Sequence, residues 1–296
     1  MRYIELRRIF MLENFKNHEF LNGQNFSKIA DVIFAINVPN DEIKNYSNDN
    51  YKIISENTQF TGFKLKNLKI KNGDIIFCNS SYLNLLFKYL QRLKDIKSLT
   101  LITSQSDFAI TKDVYLKKPL SIRKWYSVNV AHKDDNLVPI PLGLANNYSP
   151  KNIRINDLVN FKFDDVIKEN KLYINLRKST NLRERENIEN LFKNKDWVVI
   201  REPNLSIDDY IRDLNKFKFI LCPWGNGVDT HRIWEALYCG TIPIIIESTI
   251  NELYIDLPVL IVESWNVITK EFLEKKYIEI INKNKNNEYN INKLYL

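Results

Sequence analysis

The sequence predicts an α/β protein of two doubly wound, Rossmann-like domains facing one another across a central cleft. Three observations carry this expectation. The 296 residues exceed the usual size of one domain. Short β-rich apolar runs alternate with segments of helical periodicity in both halves, the signature of α/β units on mainly parallel sheets. The alternation halts at ANNYSPKNIRIND (145–157), rich in Asn, Ser and Pro, and then restarts. A composition of 44% hydrophobic, 12% aromatic and 27% charged residues lets each half bury a core and excludes disordered and collagen-like chains. The expected boundaries are 1–148 for the first domain, 149–270 for the second, and 271–296 for a helix and tail that pack back on the body.

In the first half, ADVIFAINV (30–38), GDIIFCNS (73–80) and SLTLITS (98–104) read as strands. SYLNLLFKYLQRLKDI (81–96) has apolar residues three and four apart and reads as an amphipathic helix. NLVPIPLGL (136–144) reads as a strand that ends at a crevice or runs along an edge, because Pro139 and Pro141 cannot donate to a ladder. The second half gives the strand KLYINL (171–176), a charged helix from Arg183 to Asn194, and the strand DWVVI (196–200). A helix in SIDDYIRDLNKF (206–217), the strand KFILCP (218–223), a helix from Thr230 to Cys239 and the strand TIPIIIES (241–248) follow. PVLIVES (258–264) and a helix in TKEFLEKKYIEIINKNK (269–285) complete the series.

The formal charge of +7 admits nucleic acid, an anionic membrane surface or a phosphate-bearing substrate as partner. Basic residues interleave with acidic ones throughout, and no nucleic-acid-binding motif is present, so nucleic acid is not expected. The one local basic run is RKSTNLRER (177–185). Cys78, Cys222 and Cys239 form no CxxC pair and read as reduced, buried small residues of a cytosolic protein. MRYIELRRIFMLENF at the start is broken by Glu5, Arg7 and Arg8, and no later run reaches the roughly 18 apolar residues of a span, so at most peripheral membrane contact is expected.

Residues 218–248 concentrate the chemistry. WGNGVD lies between an apolar strand and a helix that the Thr230 side chain can cap. Backbone N–H groups at such a helix start form a site for a diphosphate. Gly225 and Gly227 remove side chains where phosphate would approach, with Asn226 between them. Arg232 and Glu235 share a helix face, while Ile233, Trp234 and Leu237 supply packing. A carboxylate at Glu235, beside bound phosphate, is placed to accept ribose hydroxyls; the competing reading is a surface Glu paired with Arg232. Gly240 ends the helix as a left-handed cap.

CPWGNGVDTHRIWEALYCGTIPII resembles the donor-binding segment of the exostosin-like glycosyltransferases and of the C-terminal domain of the ribitol xylosyltransferase group. Its EALYCGTIPI portion resembles the EA-x-x-x-G-x-P-[VI] pattern of retaining GT-B enzymes, which implies that Glu235 binds the donor ribose. The upstream acidic residue of the longer retaining pattern would fall at Gly227, a departure that favours inversion or a sugar contact from Asp229. LITSQSDFAI (101–110) and KWYSVNVAHKDDNLVPIPLGLAN (124–146) resemble segments of uncharacterised bacterial and viral proteins carrying the same C-terminal motif, which implies that both halves belong to one enzyme. The resemblance implies a GT-B glycosyltransferase that moves a sugar from a nucleotide-diphosphate sugar, UDP-sugar favoured, to a glycan or polyol-phosphate acceptor in surface polysaccharide synthesis.

Transfer from a nucleotide diphosphate needs stabilisation of the leaving phosphate and, for inversion, a base. Arg177 and Arg183 are the favoured diphosphate ligands, with Lys178 and Arg185 beside them, because arginine binds phosphate oxygens as a bidentate fork. His231 is expected to hydrogen-bond donor phosphate or sugar, and Asp229 to contact sugar hydroxyls or orient the loop. Asp107, after the strand SLTLITS, is the candidate base, with His132 and Asp134 as alternatives. His18, His132 and His231 are the only histidines, and the pairs Asp134–Asp135 and Asp208–Asp209 read as solvated surface, so no metal and no cofactor besides the nucleotide-sugar is expected. The expected location is the cytoplasm or the inner face of the membrane. The alternatives are an enzyme resembling polysaccharide pyruvyltransferases or an epimerase, or a non-catalytic nucleotide-sugar or nucleic-acid binder.

Overall fold

The computed structural model describes residues 19–45, 50–163 and 166–296. The N-terminal segment MRYIELRRIFMLENF and His18 lie outside the described residues. The chain divides into two compact units, Leu21–Pro150 and Lys151–Leu296, the latter joined among the described residues by Glu19 and Phe20.

The first unit carries seven strands: β1 (Val32–Pro39), β2 (Tyr51–Glu56), β3 (Phe60–Leu65), β4 (Ile75–Asn79), β5 (Leu99–Ser104), β6 (Ile122–Ser127) and β7 (Leu137–Pro139). They form one sheet in the order β2-β3-β1-β4-β5-β6-β7. From β1 to β7 the pairings are parallel, and β2 and β3 add an antiparallel hairpin beside β1. The apolar runs at 30–38, 73–80 and 98–104 fall on β1, β4 and β5. β7 is three residues long at the sheet edge, where Pro139 removes no needed donor.

Helix α1 (Leu83–Leu90) is shorter than its sequence pattern, which runs to residue 96. Leu83, Leu86, Phe87 and Leu90 are its buried stripe, and beyond Leu90 the chain turns, with Arg92 and Leu93 N–H bonding to the carbonyls of Tyr89 and Leu90. A short helix, α2 (Lys112–Leu116), is capped by the Thr111 hydroxyl, which accepts from Val114 N–H.

The second unit holds β8 (Glu169–Asn175), β9 (Val198–Arg201), β10 (Phe217–Leu221), β11 (Ile242–Ile246) and β12 (Leu260–Val262), all parallel, in the order β12-β11-β10-β8-β9. Its helices are α3 (Ile155–Asn160), α4 (Leu182–Arg185), α5 (Ile188–Phe192), α6 (Ile207–Lys216), α7 (His231–Tyr238) and α8 (Lys270–Lys285). Alternate residues of the strands face opposite sides. Leu172, Ile174, Phe219, Leu221, Ile242 and Ile244 pack with Ile188 and Phe192 of α5 and Leu273 and Ile280 of α8 into one core. β10 is buried along its whole length, as a central parallel strand should be.

The single charged helix expected from Arg183 to Asn194 is two short helices. Burial of Ile188 and Phe192 holds α5, whereas α4 is held by its last residue, Arg185, which is itself buried. Gly240 has φ 65°, and the Thr241 and Gly240 N–H groups bond to the carbonyls of Ala236 and Leu237, a paired arrangement that closes α7. All three cysteines are free and buried. Burial pushes the Cys222 thiol up to about 12, in keeping with a packing role.

Candidate functional site

The strand order of the second unit reverses between β8 and β10, and ligands of open α/β sheets bind outside the carboxyl ends of strands at such a point. β8 runs out into Arg177 and Lys178, and β10 into Cys222–Thr230. Two loops thus meet where the topology places a ligand. Asn181 joins them, its side-chain amide donating to the Gly225 carbonyl at 2.9 Å.

Arg185 fixes the same junction from inside. It is 4% exposed, and its guanidinium donates to the carbonyls of Trp224 (2.8 Å), Arg177 (3.1 Å) and Pro223 (3.2 Å). A Cβ on Gly225 would stand 3.3 Å from this guanidinium, so glycine lets the loop lie over the charge. Burial, with the charge of Arg232 adding, pushes Arg185 down to about 10. Among the described residues neither arginine has a carboxylate within ion-pair distance.

Arg232 lies in the first turn of α7, partly exposed, with its Nε buried and without a hydrogen-bond partner. Burial alone would lower its pKa, but Tyr210, Cys222 and Glu235 outweigh that and hold it above the ordinary value. The Thr230 cap does not form. Thr230 sits at the N-cap position in extended conformation, yet its Oγ1 makes no cap bond and is buried without a partner. Its methyl is turned toward Gly225, which takes the hydroxyl away from the helix N–H groups. An unpartnered guanidinium nitrogen and an unpartnered hydroxyl thus belong to residues 230–232 at a helix start without a side-chain cap, and each buried unsatisfied group costs about 1–3 kcal/mol. An anion can satisfy the donors among them.

Glu235 is not on the surface. It is 1% exposed; Ile153 N–H donates to Oε1 at 3.0 Å and the Tyr210 hydroxyl to Oε2 at 3.1 Å. The surface position of the competing reading, a surface Glu paired with Arg232, is corrected by this burial. The residue lies far enough into α7 for its side chain to turn under the helix. Asp229 is likewise internal, 2% exposed, accepting from Trp234 Nε1 at 2.9 Å and the Tyr254 hydroxyl at 3.0 Å. These bonds tie the loop to Trp234 of α7 and to Tyr254.

The remaining candidates are spread over the loops. Arg177 and Arg183 are exposed, and Lys178 is ion-paired to Glu189 at 2.6 Å. Asn226 is exposed, Gly227 accepts from Gly225 N–H at 3.1 Å, and His231 is partly buried at the start of α7. The buried arginine is Arg185, which sequence reasoning ranked behind Arg177 and Arg183. Tyr210 and Tyr254 were missed altogether. The spacing of Arg185, Ile188 and Phe192 places the arginine on the apolar face of the helical pattern, which is the signal that could have found it.

Asp107 belongs to the other unit, exposed in the loop after β5. Asp134 accepts from the Tyr115 hydroxyl at 2.6 Å and from Asn136 N–H at 2.8 Å, and the phenol hydrogen bond, foremost, lowers its pKa. A carboxylate held below its ordinary range is a weaker base. His132 packs its ring against Tyr115. Asp208 and Asp209 are exposed at the start of α6, where Asp209 accepts from Ser206 and Arg212. No helix among the described residues is long and apolar enough to cross a membrane.

Residues 167–291 match the family model described as the RXYLT1 C-terminal domain. A comparison with curated proteins gives no match. The matched segment takes in β8–β12, both loops at the strand-order reversal and every candidate from Arg177 to Glu235. The match covers less than half of the chain and shows that this part of it is similar to that domain.

Proposed function

We propose that the chain is a metal-independent, inverting GT-B glycosyltransferase that takes a sugar from a nucleotide-diphosphate donor, UDP-sugar favoured, and passes it to a glycan or polyol-phosphate acceptor of a surface polysaccharide. The observation that carries this reading is the pair Arg185 and Arg232, with no carboxylate at ion-pair distance among the described residues, beside the glycine loop at the strand-order reversal. A cytoplasmic location, at most at the inner face of the membrane, suits a nucleotide-sugar donor.

The roles divide by geometry. Arg185 has spent three donors on loop carbonyls, so it holds the loop and supplies field. Arg232, with Nε unpartnered, makes the direct contact to diphosphate oxygens, assisted by the start of α7 and by Thr230 and His231. In transfer, the bond from the anomeric carbon to the diphosphate oxygen breaks, and its electron pair leaves with the diphosphate. Preorganised positive charge stabilises that developing charge. The acceptor oxygen forms the new bond and its proton passes to a base, Asp107 in this reading. Glu235 and Asp229 act from beneath by fixing Tyr210, Trp234 and Tyr254 around the loop.

A thermal-shift screen of the wild type and Arg232→Ala against UDP, GDP, CMP, CDP and ADP tests the reading. Selective stabilisation by UDP is expected, about 2.7 kcal/mol at a hundredfold excess over Kd. It should be lost in the variant. Failure of every nucleotide to shift the folded wild type at millimolar concentration would overturn the donor site.

A further inference from the structure

In the Leu21–Pro150 unit, the carboxyl end of the sheet carries a polar network that the donor chemistry does not use. Asn37, near the end of β1, is pinned by Gln105: the Gln105 Oε1 accepts from Asn37 N–H, and its Nε2 donates to the Asn37 carbonyl, both at 3.0 Å. Gln105 is buried and holds φ 64° to do this, a conformation strained for a non-glycine residue. The Tyr82 hydroxyl then donates to Asn37 Oδ1 at 3.0 Å and is hydrogen-bonded on its other side to Ser55. Gly62 makes room for this chain, since a Cβ there would collide with the Ser55 and Tyr82 oxygens.

Asn37 and Tyr82 lie close enough to act on the Tyr148 phenol, and the Asn146 amide donates to its oxygen at 3.0 Å. The Asn146 amide thus occupies the Tyr148 oxygen as a donor, which leaves the phenol proton to be given away. Asn146 is 8% exposed, and its Oδ1 is buried without a partner. The Tyr148 ring lies 4.9 Å from that of Phe60. The charged neighbours are acidic: Asp107 acts on Tyr148, and Glu42 accepts from the Asn147 and Gln24 amides at 3.4 Å. A donor, an acceptor and an aromatic face beside carboxylates suit hydroxyl groups on a carbon ring and disfavour phosphate.

We propose that the Asn37–Tyr82–Tyr148–Asn146 cluster binds an uncharged polyhydroxylated ligand, with Tyr148 O–H donating to one ligand oxygen and Asn146 Oδ1 accepting from a hydroxyl. It rests on the proposed function only for calling that ligand the acceptor, and there it selects a neutral glycan portion over a polyol phosphate. The test is saturation-transfer NMR on the full chain with methyl β-galactoside and sorbitol as probes and sorbitol 6-phosphate as the anionic control. One neutral probe should bind, more tightly than the phosphate. Tyr148→Phe, which keeps the ring contact with Phe60, should weaken it about 3- to 10-fold, the loss of one neutral hydrogen bond. Asn146→Ala should weaken it further, with circular dichroism confirming that each variant is folded. Absence of neutral binding, preference for the phosphate, or unchanged affinity in folded Tyr148→Phe would overturn the site. Nucleotide stabilisation is recorded separately on the same samples: a nucleotide shift without polyol binding sinks this site and leaves the donor reading intact, and the converse does the opposite.

Discussion

Asp229 carries a structural demand that its place in a polar loop conceals. Its Oδ1 accepts both the Trp234 indole N–H and the Tyr254 hydroxyl inside the unit. Removing it leaves two buried donors unpaired at about 1–3 kcal/mol each, so Asp229→Ala should lower the urea-unfolding free energy by roughly 2–6 kcal/mol. Asp229→Asn retains an Oδ1 and should lose clearly less. Equal losses in the two variants, read from denaturation midpoints at constant slope, would exclude the shared-acceptor account. At this scale the sequence identified Asp229, Arg232 and Glu235 as consequential residues, but not which way they point. The loop and helix pattern specifies backbone neighbours, whereas the burial of Glu235 depends on Tyr210 and Ile153, which are far from it in sequence. Arg185 shows the same limit, because two of the three carbonyls that hold it, those of Pro223 and Trp224, belong to a loop far on in the sequence.

Elements were legible where burial is strong. β11 is a continuous apolar run and β10 one broken only by Lys218, α7 ends at its glycine, and α8 starts at Thr269, whose hydroxyl accepts from Phe272 N–H at 3.1 Å. The β2–β3 hairpin was not legible, because β2 has no buried residue and so little alternation to read. Its turn is set by Asn57, whose Oδ1 accepts from Gln59 and Phe60 N–H. Gly143 is the sharpest element-level constraint. It has φ 70°, and a Cβ there would meet the Leu21 carbonyl, which itself accepts from Leu144 N–H at 2.8 Å. Neither backbone can yield without breaking the bridge between Asn22 and Leu144. Gly143→Ala should therefore cost more than the roughly 1 kcal/mol of an ordinary left-handed glycine, about 2–4 kcal/mol by thermal or chemical unfolding. Gly73, at φ 94° with nothing within 4 Å of a Cβ, is the control: its alanine variant should cost only the conformational part. Similar losses at the two positions would remove steric conflict as the cause.

Over the whole molecule the charge of +7 has two readings that salt can separate. Much of the surface charge is already locally matched, as in Arg154–Asp157 at 2.8 Å, Lys276–Glu279 at 2.6 Å, and Lys171 and Lys216 on Glu169 at 3.2 Å. Such exposed pairs add little stability, yet they break a continuous basic face into small opposed charges. The arginines of the glycine-loop site differ, since Arg185 is buried and Arg232 has a buried nitrogen, and buried charge is screened much less by salt than exposed charge. A protein that tracked nucleic acid through 6–10 phosphate contacts would lose about 10³–10⁵ in affinity between 50 and 200 mM salt. A site that engages one diphosphate with one or two arginines should lose roughly tenfold or less over the same range. Titrating UDP and a mixed-sequence single-stranded oligonucleotide at both salt concentrations distinguishes them. UDP affinity that persists while oligonucleotide binding is weak at either salt places the functional positive charge in the loop; a steep oligonucleotide slope with strong low-salt binding would move it to the surface and displace the transferase reading.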